Sequence, residues 1–346
     1  MKSYQLHSAE NRRAIFADLP APIWLEKELL RVWVVADPSL LLQVLRNPLA
    51  VVSTLPELVR IIERTNGVSL PNVAYACSVL PVLVDESAHP AVRKGFATFL
   101  AARLGELEPH LPALSKSCLA PLAPLTRPGY VDIVSGVVDP FIEQVFSILL
   151  QCRLPPEVLS LGLGNILSFN TNLTRLKSLD ARIGKILSFL RGASASEEEV
   201  GWKFTCLVFG VDTLAMMLTE GIVSAFRDGE DAAAGARLPQ FPVETGVPVT
   251  FRRARSSFDL SGCSIQAGDL LRLQLQAFGY SMNADDRRFI FGAGLHSCIG
   301  KQMSLRVWEH FRREFDQLDL KARIVRYELS PSHFIILHKS VQLEVL

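Results

Sequence analysis

Apolar residues recur at spacings of three and four across residues 91–107, 131–150, 179–190 and 202–226, the mark of helices that bury one stripe. Period-two alternation is scarcer and falls late, at Asp269-Leu270-Leu271-Arg272-Leu273-Gln274-Leu275 and at Phe334-Ile335-Ile336-Leu337. The pattern predicts a large helical body with a minor sheet component, a mainly α fold with minor β. Residues 191–196 and 228–235 read as short surface loops. No repeat, low-complexity linker or composition shift divides the chain, so residues 1–346 are expected to form a single domain.

Composition narrows the function classes. Hydrophobic residues make up 49% of the chain, ample for a large core, and the net charge of +1 argues against nucleic acid or an anionic membrane as the main partner. The most apolar window, residues 206–223, contains Asp212 and Glu220, which suits a core helix better than a membrane span. The opening MKSYQLHSAENRRAIF lacks the apolar core of a signal peptide, so a soluble cytoplasmic protein is expected. Six cysteines occur, none in a C-x-x-C pair. Most lie in apolar, helix-like sequence and read as small buried hydrophobes rather than a disulfide framework.

One cysteine stands apart. Cys298 lies inside Phe291-Gly292-Ala293-Gly294-Leu295-His296-Ser297-Cys298-Ile299-Gly300, followed by helix-like sequence from Lys301 to Phe311. Gly292, Gly294 and Gly300 permit tight turns and close approach to a flat ligand. Backbone N–H groups at a helix start favour an anion, the condition that holds a cysteine as thiolate. This decapeptide resembles the haem-binding signature of the cytochrome P450 family in its bacterial form, phenylalanine–x–x–glycine–x–x–x–cysteine–x–glycine. The resemblance implies a P450 fold, here reduced in length, and Cys298 as the axial ligand of haem b (iron protoporphyrin IX). Phe291, Gly292 and Gly300 would shape its cradle, and His296 would contact a propionate.

Three further segments carry the resemblance. Phe209-Gly210-Val211-Asp212-Thr213 is similar to the family's distal-helix motif, and as a helix it puts Phe209, Gly210, Thr213, Met216 and Met217 on one face. The resemblance implies that Thr213 and Asp212 manage proton delivery, with Phe209, Gly210 and Met216 lining the substrate pocket. An ordinary buried helix would instead use the threonine to bond its own i−4 carbonyl. His89-Pro90-Ala91-Val92-Arg93 resembles the helix whose histidine and arginine bind haem propionates. Pro90 suits a first helical position, making His89 the expected cap. In Val249-Thr250-Phe251-Arg252-Arg253-Ala254 the family pattern favours Arg252 over Arg253 as another propionate ligand.

The pattern also breaks. The family's glutamate–x–x–arginine motif has no counterpart at residues 241–244, and Glu244 is out of frame with no arginine after it. The loop before the cysteine, from Asn283 to Phe289, is short, and Phe209 replaces the usual small residue. Joint loss of a charged network is tolerable where loss of one partner is not.

The resemblance spans roughly residues 33–346 and implies a haem-thiolate monooxygenase acting on a small, largely apolar organic substrate. Electrons would come from a separate ferredoxin or flavodoxin, since no flavin, nicotinamide or iron–sulfur motif is present. Arg287, Arg288, Lys301, Arg306, Arg312 and Arg313 would form its docking patch, or an ordinary solvated face. Residues 53–84 and 169–190 are the expected distal walls. Alternatives are peroxide-driven or redox-neutral chemistry on the same haem, and a non-catalytic haem protein.

Overall fold

Prolines mark where several helices begin. Pro38, Pro71, Pro90 and Pro140 each sit in a first helical turn, where a missing N–H leaves no bond unmade. A computed structural model describes residues 16, 21–27, 31–52, 55–84, 88–123, 129–159, 172–227, 235–281, 283–329 and 338–346. The chain opens with β1 (Ile23–Lys27), β2 (Val32–Val35), α1 (Pro38–Arg46) and β3 (Ala50–Val51). There follow α2 (Leu55–Asn66), α3 (Pro71–Val79), α4 (His89–Leu107), α5 (Leu111–Leu119), β4 (Gly129–Asp132), α6 (Asp139–Leu149), α7 (Leu173–Gly192) and α8 (Glu197–Arg227). Four strands come next, β5 (Val249–Ala254), β6 (Phe258–Leu260), β7 (Cys263–Ile265) and β8 (Leu270–Gln274). The chain ends with α9 (Gln276–Tyr280), α10 (Lys301–Gln317), β9 (Ala322–Leu329) and β10 (His338–Val345).

These elements group into two units. The first comprises Met1–Thr54 and Val243–Cys298. Its five-stranded sheet runs in the order β1-β2-β8-β5-β3, with β2 and β8 parallel and the other neighbours antiparallel. Asp269, just before β8, is buried and accepts bonds from Arg31 Nε at 2.7 Å and Trp33 Nε1 at 2.8 Å. Burial opposes its ionisation, yet these donors and the Gln266 N–H outweigh that and lower its pKa.

The second unit comprises Leu55–Pro242 and Ile299–Leu346, with α8 as its spine. Glu197, Glu198 and Glu199 stand at the α8 N-terminus, where the helix dipole favours acids. Gly210 and Gly221 let rings press on the helix backbone: a side chain at Gly210 would collide with Phe146 of α6, and one at Gly221 with Trp308 of α10. Buried Glu220 meets His338 Nε2 of β10 at 2.9 Å. Asp180 of α7 caps α3, accepting from Asn72 N at 2.8 Å and Val73 N at 3.0 Å, a task Leu70 at the cap position has no side-chain oxygen to perform. The three-stranded sheet has the order β4-β10-β9.

The expected helices over 91–107, 179–190 and 202–226 appear as α4, α7 and α8, and the strand over 269–275 as β8. The helix expected over 131–150 starts later. Residues 129–132 pair with β10, a π-helical turn follows at Val134–Val138, and α6 begins only at Asp139, with Pro140 in its first turn. Residues 129–132 form a strand because β10, far off in sequence, supplies their hydrogen-bond partners. The cap of α4 falls on Ala88, one residue before His89. Residues 334–337, the expected late strand, and 228–234, most of one expected loop, lie outside the described residues. Among the described residues one helix, α8, is long and apolar enough to cross a membrane, and most of it is buried.

Gly221→Ala reads the packing of α8 directly. In a solvated helix this change would stabilise by up to about 1 kcal/mol. Against the buried Trp308 ring the methyl group overpacks, at a cost of about 1–3 kcal/mol. The expected outcome is a lower urea midpoint; a raised midpoint would mean that α8 and α10 do not pack as described.

Candidate functional site

The site residues expected from sequence fall in two groups, one in each unit. In the first unit, β5 pairs with β3 and β8, and its alternation turns Arg252 inward and leaves Arg253 half-buried. Arg252 is 5% exposed. Its Nη1 donates to the Phe251 carbonyl at 2.8 Å and to Thr250 Oγ1 at 3.3 Å. Among the described residues no carboxylate forms a salt bridge with it. Burial alone lowers its pKa to about 10. A buried cation without a counter-charge is costly, and the arrangement suits an anion brought by something other than the chain.

The cysteine loop is built from backbone turns. Gly292 and Gly294 have φ of 74° and 72°, a conformation that favours glycine. Gly294 also nests against the Leu45 carbonyl at the end of α1, so closely that any side chain would collide with it. The Gly292 N–H donates to Phe289 O and the Cys298 N–H to Phe291 O, both at 2.8 Å, which closes the loop. Phe291 is buried, His296 half-buried, Leu295 77% exposed, and Cys298 exposed. Gly300 follows two residues later as the cap of α10, with no side-chain bond to the first turn. The other cysteines are buried or half-buried, and burial raises the thiols of Cys77, to about 11, and of Cys118, Cys152 and Cys206.

In the second unit the middle of α8 holds the distal-motif residues. Phe209 to Thr213 are half-buried, between fully buried turns at residues 203–208 and 216–223. Thr213 Oγ1 donates to the Phe209 carbonyl, the i−4 back-bond of an ordinary helix, with Gly210 O at 3.3 Å. Gly210 is turned against Phe146, and Met216 and Met217 are buried. Asp212 belongs to an acidic group that sequence reading missed. Asp139, solvent-exposed at the start of α6, has its carboxyl pushed up to about 6 by burial among neighbouring atoms, then by Asp132 and Asp212. Nothing in the spacing of three acids scattered along the chain signals that they gather. His89 is buried at the start of α4; burial first, then the charge of half-buried Arg93, lowers its pKa.

Several of the basic residues that flank the cysteine in sequence are held in ion pairs or over rings. Arg306 pairs with Glu108 at 3.5 Å and Glu309 at 3.3 Å, Arg312 with Asp316 at 3.0 Å, and Arg313 with Glu309 at 3.2 Å. Arg288 lies over the Phe289 ring at 4.9 Å, with Arg46 over the same ring at 5.7 Å. Parts of the expected distal walls, residues 53–54 and 169–171, lie outside the described residues.

No family model and no curated protein matches this chain. Solved structures do. The chain is similar to P450BioI in complex with a hexadec-9Z-enoic acid ligated acyl carrier protein, at 14% identity and a TM-score of 0.73, covering 99% of this chain and 100% of that one. It is similar to P450 RauA complexed with a biosynthetic intermediate of aurachin RE, at 17% identity and a TM-score of 0.73, covering 100% and 98%. Cytochrome P450-153 from Novosphingobium aromaticivorans gives 17% identity and a TM-score of 0.72, covering 99% and 98%. The fold is that of the bacterial cytochromes P450, mainly α with minor β.

Asp139 gives a pH-dependent test of the acidic group. Its folded pKa of about 6 exceeds the ordinary 3.8, so the folded state holds this proton more tightly. Stability from Asp139 is therefore fully present below about pH 4 and lost as pH rises through about 6. Asp139→Asn should raise stability at pH 7–8, by under about 1 kcal/mol because solvent screens an exposed carboxylate. Urea titrations at pH 3.5 and 7.5 should show the gain only at the higher pH.

Proposed function

We propose that the chain is a haem-thiolate monooxygenase, a single catalytic domain that binds haem b with Cys298 as the axial ligand. Its substrate is a small, largely apolar organic molecule, oxidised with O2 and electrons from a ferredoxin or flavodoxin. The observation that carries this reading is Arg252, a buried cation with no carboxylate partner among the described residues, in a fold shared with cytochromes P450. A propionate supplies the missing anion, and a charge-assisted bond to it offsets the desolvation of the guanidinium. Cys298 fits the ligand's role, being the one exposed cysteine of the six, on a loop turned by positive-φ glycines.

His89, Arg93 and His296 complete the propionate donors in this reading. His89, held neutral near pH 7 by its lowered pKa, donates one N–H rather than a charge. Bound haem supplies the oxidising chemistry, and the chain's own groups bind, orient and deliver protons. Asp212 passes protons inward, with Asp139, titrating near neutrality, as the outer member of the same acidic group. Thr213 Oγ1, on leaving the Phe209 carbonyl to which it donates in the structure, relays a proton inward as it takes up one supplied from Asp212. Phe209, Gly210 and Met216 border the substrate. The electron donor docks on the basic residues that flank the cysteine in sequence, Arg287, Arg288, Lys301, Arg306, Arg312 and Arg313.

Reduced protein under carbon monoxide should show the strongly red-shifted band of a thiolate-ligated haem, absent in Cys298→Ser. A band that survives this substitution removes the central assignment.

Proton delivery has its own test. Thr213→Ala should keep consuming reductant while releasing hydrogen peroxide in place of product, and Asp212→Asn should slow turnover by about a hundredfold. Unchanged coupling and rate in both would favour the redox-neutral alternative.

A further inference from the structure

Glu244, set aside by its position in the sequence, is 4% exposed in the structure. It accepts hydrogen bonds from the Tyr280 hydroxyl and from Gln276 Nε2 at 3.2 Å, both on the short helix α9. A carboxylate is rarely buried without such donors, because desolvating it costs more than any neutral group. The two segments it joins are fitted backbone to backbone. Gly279 of α9 nests against the Val243 carbonyl so closely that no side chain could replace its hydrogen. Gln276 N donates to Pro248 O at 3.4 Å, and Thr245 Oγ1 to Ile290 O at 3.4 Å. A small cavity between these segments is lined by Glu244, Thr245, Pro248, Leu275, Gln276 and Ile290.

Ile290 is the residue before the cysteine loop. From α9 the chain runs through a 3-10 helix, Ala284–Phe289, whose Phe289 ring packs on Phe278 of α9 at 5.8 Å. It then enters Phe291–Cys298, closed by the bond from Cys298 N to Phe291 O. One stem of the loop is thus held by α9 and the segment around Glu244, and its tip by Leu45. We infer that Glu244 is a positioning residue for Cys298, clamping α9, and through it the stem of the cysteine loop, by its bonds to Tyr280 and Gln276. The inference rests on the haem-thiolate reading for its functional meaning, and among the described residues the clamp includes the Tyr280 hydroxyl and the Gln276 amide. Gln276 Oε1 has no hydrogen-bond partner, so its amide can turn and serve an amide in place of the carboxylate.

The test compares parent, Tyr280→Phe, Glu244→Ala and Glu244→Gln, with far-ultraviolet circular dichroism as a check of fold. Tyr280→Phe removes one hydroxyl and keeps the ring, so it reports even where Glu244→Ala folds poorly. In the haem-loaded protein, Tyr280→Phe should lose the thiolate band to its thiol counterpart about five- to tenfold faster, the effect of one lost buried bond, and Glu244→Ala, which loses both bonds, at least as fast. In the haem-free chain, amide exchange at Gly292 and Cys298 should quicken by the same factor, with β5 and β8 unchanged. Glu244→Gln should hold parent rates in both. Parent rates in Tyr280→Phe and Glu244→Ala, acceleration spread equally over β5 and β8, or a Glu244→Gln as fast as Glu244→Ala would overturn the inference. A parent without the thiolate band would overturn the haem reading, while the exchange arm would still decide the role of Glu244.

Discussion

The second unit depends on how closely aromatic rings approach the backbone of one helix. Gly210 and Gly221 lie about three turns apart on the same face of α8. Their missing side chains admit Phe146 of α6 and Trp308 of α10. Packing this tight leaves α8 no freedom to rotate, since any turn about its axis would drive a side chain into one ring or the other. The adjoining face then presents Phe209 and Thr213 in a fixed orientation. Glu220, buried beside Gly221, ties the same helix to β10 through His338. The orientation of the proposed proton-delivery residues is a consequence of two absent methyl groups.

Among the described residues, buried charged groups differ in what offsets their desolvation. Asp269 has Arg31, Glu220 has His338, and Lys203 has Glu199 at 3.0 Å. Arg252 has a hydroxyl and a carbonyl, both neutral acceptors from its own strand. The contrast matters because burying any ionised group is costly, while the compensation differs. A fold that retains such a group gains from it only when an anion arrives. His89 is handled in the opposite way, neutralised by burial and by Arg93, so it contributes a donor with no desolvated charge.

Chemistry at the cysteine is set by exposure more than by residue type. The chain carries six thiols, and burial raises four of them out of the reactive range. Cys298 is the exposed one, on a loop held by backbone bonds and positive-φ glycines. The network expected around such a loop is lost from this sequence, yet the structure places a buried carboxylate, Glu244, against α9 at its stem. A short chain can hold a loop with fewer residues when the clamp consists of neighbours already packed together.

The sequence alone determined whatever depends on local spacing. Apolar periodicity gave α4, α7 and α8, glycine and cysteine spacing gave the Cys298 loop, and the family pattern chose Arg252 over Arg253, the residue the sheet then buries. It erred where a partner distant in sequence decides the outcome. Residues 129–132 became a strand because β10 supplies their hydrogen bonds, and no local pattern announces a partner so far away. Only tertiary structure decided that Glu244 would be buried, that Asp132, Asp139 and Asp212 would share a field, and that Gly210 would face Phe146. Burial and electrostatic coupling are properties of assembled neighbours, so a residue's type and spacing carry no record of them until the fold brings those neighbours together.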